Sequence, residues 1–270
     1  MRPRGARLFI PQLTEVPCLC LLVEAEDHLV LVDAGFGTRD AAEPGRLGHA
    51  NLVLNAVRDP GETAVRKVER MGYKPGEVSD IICTHLDRDH AGGLSDFPHA
   101  RVHVLAAERE AALRPGTRSE RERYRADHFE HGPRWITYQE ASGEPWFGME
   151  CIRSLDGLPP GIVAVPLPGH TRGHCGVAVE TDEGWLLHCG DAYYVREELE
   201  GNSVPRGIRF FRRAAHCDYP KAMLQVERLS RVVEKGRARI TTIASHDFVE
   251  YVKLSASPKR GRRHRGVNDA

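Results

Sequence analysis

The sequence predicts a mixed α/β fold. Short apolar runs of strand length alternate with segments whose apolar residues recur at helical spacing,. Four of the strand-like runs are followed closely by histidine or aspartate. The second half repeats the plan of the first, strands and then a helix and a strand ending in histidine, with no Pro/Ser-rich linker between them. These features predict one domain made of two packed halves.

Cys18–Glu24 and Leu29–Asp33 are apolar runs about Glu26-Asp27 and predict a hairpin,. In Thr63–Met71, Ala64, Val65, Val68 and Met71 recur at helical spacing and Gly72 stops the helix,. Asp80–Thr84 is a buried strand that delivers His85 to its end, and Arg101–Leu105 is a second strand leading into a helix over Ala106–Leu113,. Arg114–His131 is highly charged and reads either as a helix with a solvated face or as an insertion placed to cover a site,. Ile162–Val165, Gly176–Glu180 and Trp185–Cys189 are strands, and Tyr219–Val233 is a helix with Ala222, Val226, Leu229 and Val233 on one face,. Arg239–Ala244 is the last strand, ending at Ser245-His246-Asp247.

The 270 residues suffice for a sizeable core,. Lysine plus arginine and aspartate plus glutamate number 38 each, which removes the basic excess expected of a nucleic-acid binder,. The local exception, Lys259, Arg260, Arg262, Arg263 and Arg265, predicts a solvated, flexible tail over 253–270,. The domain then spans 1–252, with an insertion or lid over roughly 114–145,. Met1–Leu13 carries Arg2, Arg4 and Arg7 but no signal-peptide apolar stretch, and the run from Leu29 to Phe36 is broken by Asp33,. A cytoplasmic location with no membrane partner is the expectation. The seven cysteines contain no C-x-x-C pair and predict no disulfide framework or zinc ribbon,. Cys18 and Cys20 would share one side of a strand, and these two with Cys83 and Cys189 are read as buried, inert thiols,.

The chemistry concentrates in four places. His85, Asp87, Asp89 and His90 lie within six residues, between an apolar strand and Ala91-Gly92-Gly93. Imidazole and carboxylate are ligands for zinc, iron or manganese. Pro168-Gly169-His170-Thr171-Arg172-Gly173-His174 brings His170 on a tight turn as a ligand, with His174 supporting by a hydrogen bond,. In His188-Cys189-Gly190-Asp191, a carboxylate after a strand and a glycine can bridge two cations; the fourth place is His246.

The order H-x-D-x-D-H, G-H-T-x-G-H, G-D, S-H, with the early Leu31-Val32-Asp33-Ala34-Gly35 turn, resembles the metallo-β-lactamase superfamily over about Cys18 to Val249,. The resemblance implies a four-layer αββα sandwich of two mixed β-sheets flanked by helices. It implies one metal held by His85, Asp87 and His170, a second by Asp89, His90 and His246, and Asp191 between them. Zinc is the first expectation, with manganese or iron the alternative because Asp87 stands where most members have histidine. The implied reaction is hydrolysis by a hydroxide shared between two divalent ions, with Asp89 orienting the nucleophile or passing its proton. Tyr194, three residues after Asp191, stands at the offset of a carbonyl-binding tyrosine in N-acyl-homoserine lactone lactonases; of Tyr193 and Tyr194, one is expected to face the site and the other to pack. A lactone or other small ester is thus the leading substrate class. Phosphodiester hydrolysis, thioester hydrolysis and a non-hydrolytic iron-dependent redox role are the alternatives. The partner is a small molecule, and a homodimer is compatible.

Overall fold

The computed structural model describes residues 16–25, 28–48, 56–140, 144–236 and 239–256. The Glu26-Asp27 turn, the arginines of the first residues and the basic tail lie outside them.

Two mixed sheets form the centre. The first has the order β1 (Leu21–Ala25), β2 (His28–Val32), β3 (Val78–Ile82), β4 (Arg101–Leu105), β5 (Arg134–Tyr138). Its first pair is antiparallel and the rest are parallel. A small hairpin, β6 (Glu144–Trp146) with β7 (Met149–Cys151), leads into the second sheet. There β8 (Ile162–Pro166), β9 (Cys175–Thr181) and β10 (Gly184–His188) are antiparallel neighbours, and β11 (Ile240–Ile243) joins β10 in parallel.

Alternation along the strands sets the layers, because successive side chains leave a strand on opposite faces. Val30, Val32 and Ile82 meet Ile162, Ala164 and Val177 between the sheets. Leu29, Leu31, Ile81 and Val102 turn the other way, onto Val65 and Val68 of helix α1 (Ala64–Arg70) and Ala111 of α2 (Ala106–Leu113). In the second sheet Val163, Val165 and Leu187 face outward onto Val226, Leu229 and Val233. Those three lie on α5 (Tyr219–Gly236), and Ala222 is also buried. Each such aliphatic side chain contributes about 1.5–3 kcal/mol on full burial. The result is the expected four layers: helices, sheet, sheet, helices.

Between the halves run α3 (Arg118–Arg123) and, before α5, α4 (Arg206–Ala215); α6 (Phe248–Ala256) closes the described chain. Of the two readings for the charged 114–131 segment, the helix is present, though only as α3. Thr117 caps it, its hydroxyl accepting the Glu120 N–H at 3.1 Å,. The last helix runs past residue 252, where the sequence placed the start of the tail. Among the described residues no helix is long and apolar enough to cross a membrane.

The cysteine expectation needs correction. β1 begins at Leu21, so Cys18 and Cys20 precede the strand, and both are only half-buried. The Leu19 N–H donates to Ser245 O at 3.0 Å, which lays this segment beside the loop carrying His246. Cys83 and Cys189 are buried, and burial pushes both thiols well above their ordinary pKa.

Asp80 supports the first sheet from a fully buried position on β3. It accepts from Arg101 Nε at 2.7 Å, His103 Nε2 at 2.8 Å and Ser79 Oγ at 2.7 Å. Burial acts to raise its pKa, but these hydrogen bonds outweigh it and hold the carboxyl well below the usual range. A depressed carboxyl stabilises the fold above its unfolded pKa of about 3.9, and the contribution fades as pH falls below that value. Asp80→Asn is therefore expected to cost about 3–5 kcal/mol near neutral pH, with the gap to wild type narrowing below about pH 4. Urea denaturation across a pH series measures this; a constant gap would show that the carboxylate charge is not the source.

Candidate metal centre

The strand ends of both sheets converge. His85 follows β3, His170 follows β8, Asp191 follows β10 and His246 follows β11. Asp87 immediately precedes a single helical turn, Arg88–Ala91, that carries Asp89 and His90. The glycines after it are needed for close approach: a Cβ on Gly93 would lie 2.3 Å from Ala34 O. That contact seats the turn against the segment after β2, where Asp33 takes a left-handed φ of 59°,.

Asp33 organises the first motif. It accepts the Thr84 N–H at 2.7 Å, the Thr84 hydroxyl at 2.8 Å and His90 Nδ1 at 2.8 Å. With its hydrogen spent on Asp33, Thr84 Oγ1 accepts from His85 Nδ1 at 3.0 Å. His246 Nδ1 donates to Pro17 O at 2.6 Å. An arginine has no acceptor, so Arg123 Nη1, 3.0 Å from His170 Nε2, donates to it,. The His170 proton therefore sits on Nδ1, facing His216 Nδ1 at 3.1 Å. All four histidines thus engage Nδ1 outside the centre and turn Nε2 into it.

The carboxylates interleave with these nitrogens. Asp87 Oδ2 lies 3.4 Å from His85 Nε2 and 3.2 Å from His170 Nε2. Asp89 Oδ2 lies 3.5 Å from His246 Nε2 and 3.9 Å from His90 Nε2. Asp191 stands between, with Oδ1 3.3 Å from His90, and Oδ2 3.2 Å from His246 and 3.5 Å from His170. All seven residues singled out as ligands therefore share one centre. His174 takes the supporting place foreseen for it, donating from Nδ1 to Leu167 O and accepting the Asp191 N–H on Nε2, both at 2.9 Å.

The donor set fits a cation. Buried His85 Nε2, His90 Nε2, Asp87 Oδ1 and Asp191 Oδ1 have no hydrogen-bond partner, and such orphans are costly without a ligand,. Three groups place potential ligand atoms within 4.8 Å of one another: His85, Asp87 and His170; His85, His90 and Asp191; and Cys18, Asp89 and His246. Burial acts to lower the pKa of His90 and His246, but Asp191 together with Asp33 and Asp89 around His90, and Asp191 together with Cys18 around His246, outweighs it and raises both well above the ordinary value. Burial and then Arg123 push His170 down to about 4. Burial acts to raise Asp191, but His246, His90 and His170 outweigh it and hold it well below the carboxylate range.

Tyr194 borders the centre. Its hydroxyl is 3.3 Å from His170 Nδ1, its ring stacks on His246 at 6.1 Å, and Phe211 of α4 packs edge-on against it at 5.0 Å. Tyr193 is buried and donates to the Glu250 carboxylate. Arg123, His216 and Cys18 are not among the residues the sequence singles out as ligands, and they reach the centre from three other segments. No local spacing around Asp87 marks Arg123, 36 residues further on, as its partner.

Two facing mixed sheets with a histidine–carboxylate centre at their strand ends define a metallo-hydrolase. The chain belongs to the metallo-β-lactamase superfamily, whose model matches residues 13–233. It is 42% identical over 234 residues to a Mycobacterium tuberculosis protein named a probable metallo-hydrolase, covering 85% of this chain and 74% of that one. It is 30% identical over 230 residues to an N-acyl homoserine lactonase of a Bacillus species, covering 84% and 80%. A solved N-acyl homoserine lactone hydrolase, with the product N-hexanoyl-L-homoserine at its catalytic metal center, is similar with a TM-score of 0.69 and 26% identity over 93% of this chain and 89% of that one.

Proposed function

We propose that this metallo-hydrolase opens a lactone or another small carboxylic ester at a centre for two divalent cations. The observation that carries the reading is the common orientation of His85, His90, His170 and His246, each with Nε2 turned inward around Asp191. His85, Asp87 and His170 would hold one ion, and Asp89, His90 and His246 the other, with Asp191 shared. Zinc suits the imidazoles, whereas Asp87 favours manganese or iron. When bound, the two ions would lower the pKa of a shared water and polarise the ester carbonyl.

The chain's own residues supply the rest. Asp89, whose Oδ2 lies 3.5 Å from His246 Nε2, would take a proton from the nucleophile and return it to the leaving alkoxide,. In this reading the Tyr194 hydroxyl would donate to the carbonyl oxygen, and burial raises its pKa well above the ordinary value, so it stays protonated,. Phe211 against Tyr194 offers an apolar wall for an acyl group. The likeness to the Bacillus lactonase supports the lactone class.

The test is metal analysis of protein purified without added metal, coupled to a panel of lactone, thioester, phosphodiester and β-lactam substrates. The expected result is metal in the purified protein, fastest turnover of lactones and loss of turnover on chelation. Faster phosphodiester or thioester hydrolysis would overturn the lactone assignment, and activity surviving full chelation would overturn the metal one. Asp87→His is expected to shift the retained metal toward zinc, the softer-ligand ion; unchanged metal content and rate would remove Asp87 from the ligand set.

A further inference from the structure

The two halves of the centre differ in one respect. Arg123, the last residue of α3, sends its guanidinium into the His85–Asp87–His170 group. Nη1 is 2.6 Å from Asp87 Oδ2 and 3.0 Å from His170 Nε2, while that same Oδ2 is 3.4 Å from His85 Nε2. The guanidinium nitrogen therefore draws on the carboxylate oxygen and the imidazole lone pair that a cation would need there. Both side chains are largely buried, Arg123 at 13% exposure and Asp87 at 15%, so little water screens the contact.

The arginine is held from behind as well. Its Nη2 donates to Ala215 O at the end of α4. Its own carbonyl and that of Glu122 accept from Arg88 Nη2 at 3.0 and 2.9 Å. Glu120 of the same helix is gripped by Arg172 at 2.6 Å. The other group has no counterpart: among the described residues, the ion pairs of Asp89 and Asp191 are all with histidines.

We infer that Arg123 is an internal cation at the first subsite, so that a divalent metal enters the Asp89–His90–His246 side first and reaches His85, Asp87 and His170 only by displacing the guanidinium. The inference rests on reading these residues as a metal centre, and it turns that centre into two unequal subsites. Arg123 acts on occupancy as a positioning residue, since the fixed charge opposes a second positive ion at close range.

The test is titration of the chelator-stripped, full-length protein with Zn2+ alone and with Mn2+ alone, read by calorimetry and by the metal retained after desalting. Wild type should show two classes about a hundredfold or more apart in affinity, with one ion retained. His170→Ala should remove the weak class and leave the tight one, whereas His246→Ala should weaken the tight one; this comparison needs no change at Arg123. Arg123→Met should tighten the weak class by about tenfold or more and retain two ions, and Arg123→Lys, which keeps the charge but not the forked contacts, should fall between Arg123→Met and wild type. Thermal melts establish that each variant is folded. Two equal classes in wild type, loss of the tight class in His170→Ala, or a folded Arg123→Met with the wild-type pattern would overturn the inference while leaving the metal centre standing. Absence of binding in wild type would overturn both.

Discussion

Asp191→Ala is expected to reduce hydrolysis by about a thousandfold or more and to strip most of the bound metal. Among the described residues, Asp191 is the one carboxylate that reaches both groups, with Oδ1 toward His90 and Oδ2 toward His246 and His170. Alanine would leave three inward imidazoles facing one another with one fewer negative charge between them. A cation at either side would then lose a ligand and the charge that offsets its neighbour. The local backbone should survive, because the bond to His174 is made by the main-chain N–H of residue 191 and not by its side chain. Asp191→Asn separates charge from shape: it keeps one acceptor oxygen, and its activity should fall between wild type and alanine. Turnover of the best panel substrate and metal content by mass spectrometry are the measurements. An alanine variant within tenfold of wild type and carrying a full complement of metal would remove Asp191 from the shared position.

The sequence made the strand-end chemistry legible because that information is local. A run of Asp80–Thr84 followed by His85, or Ile162–Val165 followed by Gly169-His170, carries both its strand signal and its ligand within a few residues. β4 and α2 emerge with the bounds expected of them for the same reason, Arg101–Leu105 and Ala106–Leu113. Other elements carry a diluted signal. β5 is an edge strand, Arg134–Tyr138, half open to solvent and so without a clear apolar alternation. In α4 only Ile208 is buried, too little to stand out among its arginines. Within the centre, Arg123 lies 36 residues from Asp87 and 47 from His170. Its arrival depends on how α3 is seated between the halves, which no local spacing encodes. Cys18 comes to His246 because the segment before β1 pairs with Ser245, a contact formed only when the last strand is in place.

Glu108 controls how those halves are held, and Glu108→Ala is expected to cost about 3–5 kcal/mol of stability together with the ordered positions of the first two motifs. It sits in the first turn of α2 with no exposed surface. Oε1 accepts the Leu86 N–H at 2.9 Å and the Tyr124 hydroxyl at 3.0 Å, and Oε2 accepts the Gly173 N–H at 3.0 Å. One carboxylate thus ties the loop of His85, the loop of His170 and the end of the helix that carries Arg123. Gly173 is required for this approach, since a Cβ there would lie 2.2 Å from the Glu108 nitrogen. Alanine would leave two buried backbone donors unpaired, each costing about 1–3 kcal/mol, against a total stability that in folded domains is only about 5–15 kcal/mol. Glutamine is the sharper probe. Its single carbonyl oxygen can serve Leu86 and Tyr124 or serve Gly173, and in either case its amide NH2 opposes a donor on the other side. Glu108→Gln should therefore lose about 1–3 kcal/mol despite nearly unchanged volume. Chemical denaturation of the metal-free proteins isolates this structural cost from metal binding. A Glu108→Gln variant as stable as wild type would show that the two loops are positioned by packing alone, with the carboxylate a spectator between them.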